Sequence, residues 1–266
     1  MLAVASPLAQ GLVAPRRDGI AITFLANEGV LLSANEAGGV RKVLIDALFE
    51  RYDGYAIAAD STQSALRQGR APFDSVDVVL ITHRHGDHFH PVPVSGHLGA
   101  NPRALVVSSQ QVVDSLRRHL APALRSSQRL AARTTPPGTR RRLLVNGIPV
   151  ELLGLPHSGG RRHRQVEHLA YVIDLGGRRI LHVGDAELSE ATLATFRLDT
   201  MRIDVALIPY WAVDDDDTRR VIERWIRPRR IAAFHFAEND SVTARAVQQA
   251  APGAHIFAHS LDRVGW

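Results

Sequence analysis

Short apolar runs separated by turn-forming polar clusters recur along the chain, and they predict strands interleaved with helices. Ile20-Ala21-Ile22-Thr23-Phe24, Val30-Leu31-Leu32 and Val43-Leu44-Ile45 predict an opening antiparallel meander. Val76-Asp77-Val78-Val79-Leu80-Ile81 reads as a buried strand, and Leu105-Val106-Val107 as the next one. Ser108-Ser109-Gln110-Gln111 has a capping-box pattern ahead of Val112, Val113, Leu116 and Leu120, which share one helical face. A second helix is expected over 123–132, and Thr134 to Gly138, with two prolines and a glycine, is the best linker candidate.

The second half repeats this scheme. Asn146-Gly147 separates Leu143-Leu144-Val145 from Ile148-Pro149-Val150, a strong hairpin signal, and Gly176-Gly177 does the same between Ala170–Leu175 and Arg179–Val183. Val205-Ala206-Leu207-Ile208 predicts a further buried strand. The acidic run Asp214-Asp215-Asp216-Asp217 precedes Val221, Ile222, Trp225 and Ile226, an apolar helical stripe closed by Pro228. Carboxylates at a helix start favour its dipole, so the run is read as a cap rather than a cation site, with Trp225 as a core residue. At this level several α/β folds fit.

One run carries the chemistry. Thr82-His83-Arg84-His85-Gly86-Asp87-His88 follows the buried strand directly and puts three imidazoles and a carboxylate within residues 83–88. A tight turn there points His83 and His85 at one locus and Asp87 with His88 at another close by. Imidazole nitrogen and carboxylate oxygen suit a borderline dication such as zinc. The chain has thirteen histidines, so chance clustering on a basic loop is the competing reading. The regular spacing at a strand end favours a cradle for two metals.

Four further motifs follow in order. Lys42-Val43-Leu44-Ile45-Asp46 ends an early strand in a carboxylate, and Leu152-Leu153-Gly154-Leu155-Pro156-His157-Ser158 carries a histidine after a strand. Arg179-Ile180-Leu181-His182-Val183-Gly184-Asp185 ends a hairpin in a carboxylate, and Ile231-Ala232-Ala233-Phe234-His235-Phe236 supplies the last histidine. With these motifs the chain resembles the metallo-β-lactamase superfamily over most of its length. Phe24-Leu25-Ala26-Asn27-Glu28-Gly29 and Leu181-His182-Val183-Gly184-Asp185-Ala186-Glu187 are more similar to the broad hydrolase branch, with its lactonase-like and phospholipase-D-like members, than to true β-lactamases.

The resemblance implies an α/β fold, a four-layer αββα sandwich with mostly antiparallel or mixed sheets and the metal-bearing loops at one edge. It implies that His83, His85 and His157 hold one metal, that Asp87, His88 and His235 hold a second, that Asp185 bridges them, and that Asp46 orients a ligand. His163 and His168 share a loop with His157 and are its rivals. His168 stands where such relatives carry Asn before Leu169-Ala170-Tyr171, so an orienting group, a proton donor or drift all fit it. His182 alternates away from Asp185 and reads as packed. His90, His97, His119, His255 and His259 carry no motif. Tyr210 and Trp211, after strand 205–208, either stack on a substrate or close the core. The cofactors implied are two divalent ions, zinc foremost, with manganese or iron also accepted by this donor set. Such a pair lowers the pKa of a shared water, giving a metal-bound hydroxide, held in line by Asp87 and Asp185, that cleaves an ester, lactone, amide or phosphodiester.

Composition narrows the field. The 266 residues, 45% of them apolar, can bury a substantial core, and no run approaches a membrane span. Residues 1–18 are expected to be a disordered tail or a signal-peptide remnant, and 19–266 a single domain of two similar halves. A tail favours a cytoplasmic protein, a trimmed signal an exported one. There is no cysteine, which excludes disulfides, thiol catalysis and Cys-rich zinc sites. The net charge of +5 comes from 31 arginines against Lys42 alone. Arg140-Arg141-Arg142, Arg161-Arg162-His163-Arg164 and Arg229-Arg230 read as solvated faces, although the cluster at Arg161 follows His157 and is expected at the site mouth, where it would favour anionic substrates. The substrate is expected to be a small or lipid-like molecule. A nuclease of the same fold, an iron-dependent redox enzyme and a non-catalytic metal-binding protein are the alternatives.

Overall fold

A computed structural model describes residues 19–52 and 54–266; the expected tail at 1–18 lies outside the described residues. Strands β1 (Ala21–Ala26), β2 (Gly29–Glu36) and β3 (Gly39–Ile45) form the antiparallel meander, and β4 (Val78–Leu80), β5 (Leu105–Ser108) and β6 (Leu130–Ala132) extend it in parallel. The second sheet repeats the logic. Its antiparallel part is β7 (Arg140–Val145), β8 (Ile148–Gly154), β9 (Leu169–Leu175) and β10 (Arg178–His182). β11 (Val205–Pro209), β12 (Ile231–Phe234) and β13 (His255–Ile256) follow in parallel, and β14 (Arg263–Gly265) returns to pair with β1. Each sheet therefore has seven strands.

The period-two alternation of each strand sorts its side chains between two cores. Ile22, Phe24, Val43, Ile45, Val78 and Leu80 face Val150, Leu152, Tyr171, Ile173, Val205 and Leu207 between the sheets. The Tyr171 hydroxyl donates to the carbonyl oxygen of Ile81 at 2.7 Å, tying one sheet to the other. The alternate residues Leu31, Leu44, Val79 and Val106 pack outward on helices Asp60–Arg67, Pro91–Ala100 and Gln110–His119. On the far side, Leu181, Ala206, Ile208 and Ala233 pack on helices that include Asp216–Trp225 and Ser241–Ala250. The result is the αββα arrangement of two mixed sheets flanked by helices. Among the described residues no helix is long and apolar enough to cross a membrane.

Several local expectations are corrected. Residues 123–132 are not one helix: a short helix, Pro122–Arg125, precedes β6, because the edge of β5 offers Leu130–Ala132 a parallel partner. Ser109 caps its helix through the backbone N–H of Val112, but Gln111 does not complete a box; its amide bonds Gln165 and Glu167 instead. Asp215 caps the helix after the acidic run by accepting from Thr218 N–H, as the dipole argument requires. Trp225 is only partly buried, with Arg224 over its ring. Residues 134–138 do join the two sheets, yet they are packed. A Cβ on Gly154 would collide with the carbonyls of Thr135 and Pro136, so the crossing lies against β8.

Candidate metal centre

The strands β3, β4, β10 and β12 end at one edge of the sandwich, and each is followed by residues of the centre: Asp46, the run 83–88, Asp185 and His235. His157 arrives from the loop after β8. Asp46 and His235 both have positive φ, at 45° and 69°, so two loops turn sharply at the point where their side chains enter. Gly184, at φ 58°, precedes Asp185; a Cβ there would sit 2.7 Å from His168 Nε2 and 2.9 Å from the Thr82 side chain, which explains the glycine.

Three imidazole nitrogens meet in a first group. His83 Nε2 lies 2.9 Å from His85 Nδ1 and 3.3 Å from His157 Nε2, and the last two are 3.1 Å apart. Tetrahedral zinc with bonds of ~2.0–2.1 Å spaces its nitrogens by ~3.3–3.4 Å. Burial and the neighbouring His88 hold His83 well below the usual imidazole range, and burial with His157 pushes His85 down to about 4. These rings are neutral near pH 7, the state a metal ligand requires.

The second group is Asp87, His88 and His235. His88 Nε2 and His235 Nε2 lie 3.4 and 3.5 Å from Asp87 Oδ2. Asp185 addresses both groups: its Oδ2 is 3.4 Å from His157 Nε2 and 3.6 Å from His88 Nε2, while its Oδ1 is 3.3 Å from His235 Nε2. Burial works against the charged forms here, but the His88 imidazole, with the rings of His157 and His235 facing the carboxylate, keeps Asp185 well below the ordinary carboxylate range. His88 is held well above its usual value: burial opposes its charge, and the carboxylates of Asp185, Asp46 and Asp87 overcome that. His88 Nε2, Asp185 Oδ1 and both His235 nitrogens are buried without a hydrogen-bond partner. Partnerless donor atoms converging in a buried site beside ionised carboxylates are what a dication satisfies, with His88 giving up its proton on binding, so the residues present fit a metal. The four residues His83, His85, His157 and Asp185, and separately Asp87, His88 and His235, each bring donor atoms within 4.8 Å of one another.

Outer hydrogen bonds fix which nitrogen faces inward. Asp46 accepts from Thr82 N–H at 2.8 Å, from the Thr82 hydroxyl, and from His88 Nδ1–H at 3.0 Å. Because the Thr82 hydroxyl donates to Asp46, its oxygen accepts from His83 Nδ1–H at 2.9 Å. His157 Nδ1–H donates to the carbonyl of Ser158 at 2.6 Å. All three rings therefore turn Nε2 inward. His182 is fully buried and points away: it accepts from Gly184 N–H and donates to the carbonyl of Glu28. Sequence reasoning missed Asn27 and Glu28. Their turn between β1 and β2 touches the second group; the stretch 24–29 that holds it resembles the hydrolase branch, but nothing in it marks Asn27 and Glu28 as site residues.

The surroundings differ on the two sides. Beside His157 and His168 a cavity of about 540 Å³ is lined by Thr135, His163, Arg164, Arg133 and the apolar Leu155 and Val166, among others. His168 and the Thr135 hydroxyl are buried there without partners, and burial and His157 push His168 down to about 3. Arg161 is exposed on the 3-10 turn Gly160–Arg162 and does not line this cavity; Arg164 and Arg133 do. On the other side Tyr55 and Trp211 set their rings 5.0 and 4.8 Å from that of His235, and Tyr210 stacks on Phe236 instead. Tyr55 was also missed; it reaches the site by a bridge to Ala237.

A two-sheet αββα sandwich with a His/Asp cluster where loops gather at one edge defines a class. The chain belongs to the beta-lactamase superfamily, whose domain model matches residues 41–260. It is similar to a UPF0173 metal-dependent hydrolase of Pelotomaculum thermopropionicum, 24% identical over 251 residues that cover 88% of this chain and 94% of the relative. A Thermus thermophilus protein of the same UPF0173 group is 22% identical, with 82% and 84% covered. Among solved structures, the metallo-beta-lactamase fold protein YhfI of Bacillus subtilis superposes with a TM-score of 0.60 at 14% identity, covering 94% of this chain and all of that one. Zn(2+)-bound PqqB of Methylobacterium extorquens gives 0.55 at 13% identity, with 93% and 100% covered. At these identities the superpositions establish the fold.

Proposed function

We propose that the chain is a metal-dependent hydrolase of small molecules, with two divalent ions held by the two donor groups and shared through Asp185. The observation that carries this reading is the convergence of both donor groups on one buried carboxylate: Asp185 Oδ2 faces His83, His157 and His88, Oδ1 faces His235, and His88 Nε2 and both His235 nitrogens have no hydrogen-bond partner. Five imidazoles outweigh two carboxylates in the donor set, which favours zinc over harder ions. Bound there, the ions supply Lewis acidity toward a carbonyl or phosphoryl oxygen and an acidified water.

The chain's own groups do the rest. Ionised Asp87 and Asp185 would hold the attacking water in line. Tyr55 and Trp211 wall the centre beside His235. The cavity beside His157 receives the body of the substrate, with the neutral His168 ring and the Thr135 hydroxyl as free hydrogen-bonding groups and Arg133 and Arg164 available to an anionic substituent. A cavity of about 540 Å³ suits a small ester, lactone or phosphodiester better than a nucleic-acid strand.

Elemental analysis of chelator-free protein tests the reading first, with two ions per chain expected. The loaded protein is then assayed on neutral and anionic aryl esters, lactones and bis-aryl phosphodiesters. A chain that binds no ion at any supply, or binds two and turns over none of these classes, sinks the proposal.

A further inference from the structure

Two-residue turns between antiparallel strands normally lie at the surface. Asn27 and Glu28 form such a turn between β1 and β2, and both are fully buried. The turn touches every member of the second donor group. Asn27 Nδ2 donates to the Asp87 carbonyl at 3.0 Å and lies 3.4 Å from Asp87 Oδ2. The Asn27 carbonyl accepts from the backbone N–H of His235 at 2.9 Å. Glu28 Oε2 stands 3.7 Å from His88 Nδ1, the Glu28 carboxyl also lies within 4.8 Å of Asp185, and neither Glu28 oxygen has a hydrogen-bond partner. His182 ties the same turn to the start of the Asp185 loop through the Glu28 carbonyl, at 3.1 Å.

The first donor group receives none of these bonds. His83 leans on Thr82 and His157 on Ser158, each its neighbour in sequence. We propose that the Asn27–Glu28 turn is a positioning element, in which the Asn27 amide fixes Asp87 and so sets the affinity of the second ion independently of the first, while the Glu28 carboxyl stands against both His88 and the shared Asp185. This inference rests on the two-ion reading above. Its physical basis is that a carboxylate free to rotate loses its aim, whereas one clamped at both its carbonyl and its Oδ2 holds it, and such outer contacts are worth about ten- to a hundredfold in metal affinity. A buried, partnerless Glu28 is costly to keep, which argues that its position serves the groups it faces.

The backbone supplies a clean variant. Asn27 has φ 53°, a conformation glycine adopts freely, so Asn27→Gly preserves the turn and the carbonyl bond to His235 while deleting only the amide. Zinc and cobalt(II) titrations of the full chain, followed by calorimetry and visible absorption, read the two ions separately. The expected result is one ion bound with wild-type affinity and an unchanged cobalt spectrum, and the other weakened about ten- to a hundredfold. Asn27→Asp, which also tolerates this φ but removes the same amide donor, should move the same ion in the same direction and serves if Asn27→Gly does not fold. Wild-type affinity for both ions in the folded variants overturns the inference, as does equal weakening of both. A wild-type chain that binds fewer than two ions overturns the two-ion reading itself, and the inference with it.

Discussion

The two donor groups of the centre are built on opposite principles. His83 and His157 are steadied by residues next to them in sequence, and the ring of His85, a partly exposed residue, has no hydrogen bond from outside the group among the described residues. The second group is steadied from far away: His88 by Asp46, 42 residues distant, and Asp87 by Asn27, 60 residues distant. The lesson is that the locally held group can lie open to the cavity, whereas the remotely held one exists only once the adjacent strands β1 to β4 are assembled.

Asp185 faces both groups, and in the proposed two-ion site replacing it should have the largest effect. Asp185→Asn keeps the shape but removes the negative charge that faces His157, His88 and His235. Loss of both ions under mild chelation and a fall of about a thousandfold or more in kcat/KM are expected. Tight binding of either ion in this variant would show that the groups do not depend on a common carboxylate. Asp46→Ala should come next. Asp46 holds His88 directly and His83 through Thr82, so both affinities should fall, the second by about ten- to a hundredfold and the first by less. Equal losses in competition titrations would erase the distinction between direct and relayed support.

How much of this was legible follows the same division. The run His83 to His88 announces itself because metal-ligand side chains crowd a strand end, and Asp46, His157, Asp185 and His235 each close an apolar strand or its loop. Pattern alone reaches the run at 83–88 and, through apolar alternation and two glycine- or asparagine-based hairpins, most strands; it leaves several α/β folds open, and the resemblance to the superfamily supplies the two-sheet sandwich and the later ligands. Asn27 and Glu28 escape it. Their pair looks like any polar hairpin turn, and only the closing of β12 and of the 83–88 loop over it makes it interior. Tyr55 is invisible for a similar reason, since its partner Ala237 is contributed by a distant loop. Chain proximity also misleads: Arg161 follows His157 closely, yet the 3-10 turn leaves it exposed while Arg164 and the distant Arg133 line the cavity.

Acid should separate the cavity side from the rest of the fold. His168 is buried and neutral, its pKa pushed from 6.5 to about 3, and His85 follows at about 4. Below pH ~6.5 the unfolded chain takes up protons that the folded chain refuses, so the stability present above that pH is lost as the pH falls toward the folded values. For the metal-free chain, His168→Leu should flatten the decline of urea-unfolding free energy between pH 6.5 and pH 3, by an amount on the order of a few kcal/mol at the acid end. Parallel wild-type and variant curves would mean that another group controls acid unfolding.

The smallest expected effect lies at the cavity rim. Arg164 is exposed, so its charge is screened and worth little, on the order of 0–1 kcal/mol for an anionic substrate. Arg164→Gln should therefore raise KM for an anionic aryl ester up to about fivefold, leave kcat nearly unchanged, and do nothing to a neutral ester of the same leaving group. Arg161→Gln, outside the cavity lining, should do less to either. The contrast is diagnostic because both arginines lie on one loop and carry one charge. If the anion preference instead follows Arg161, the substrate lies across the outer face of the 3-10 turn and not in the cavity beside His157. Added salt gives an independent check: it should shrink the Arg164 effect while sparing any change in metal affinity, since the buried donors are shielded from the ions that screen the rim.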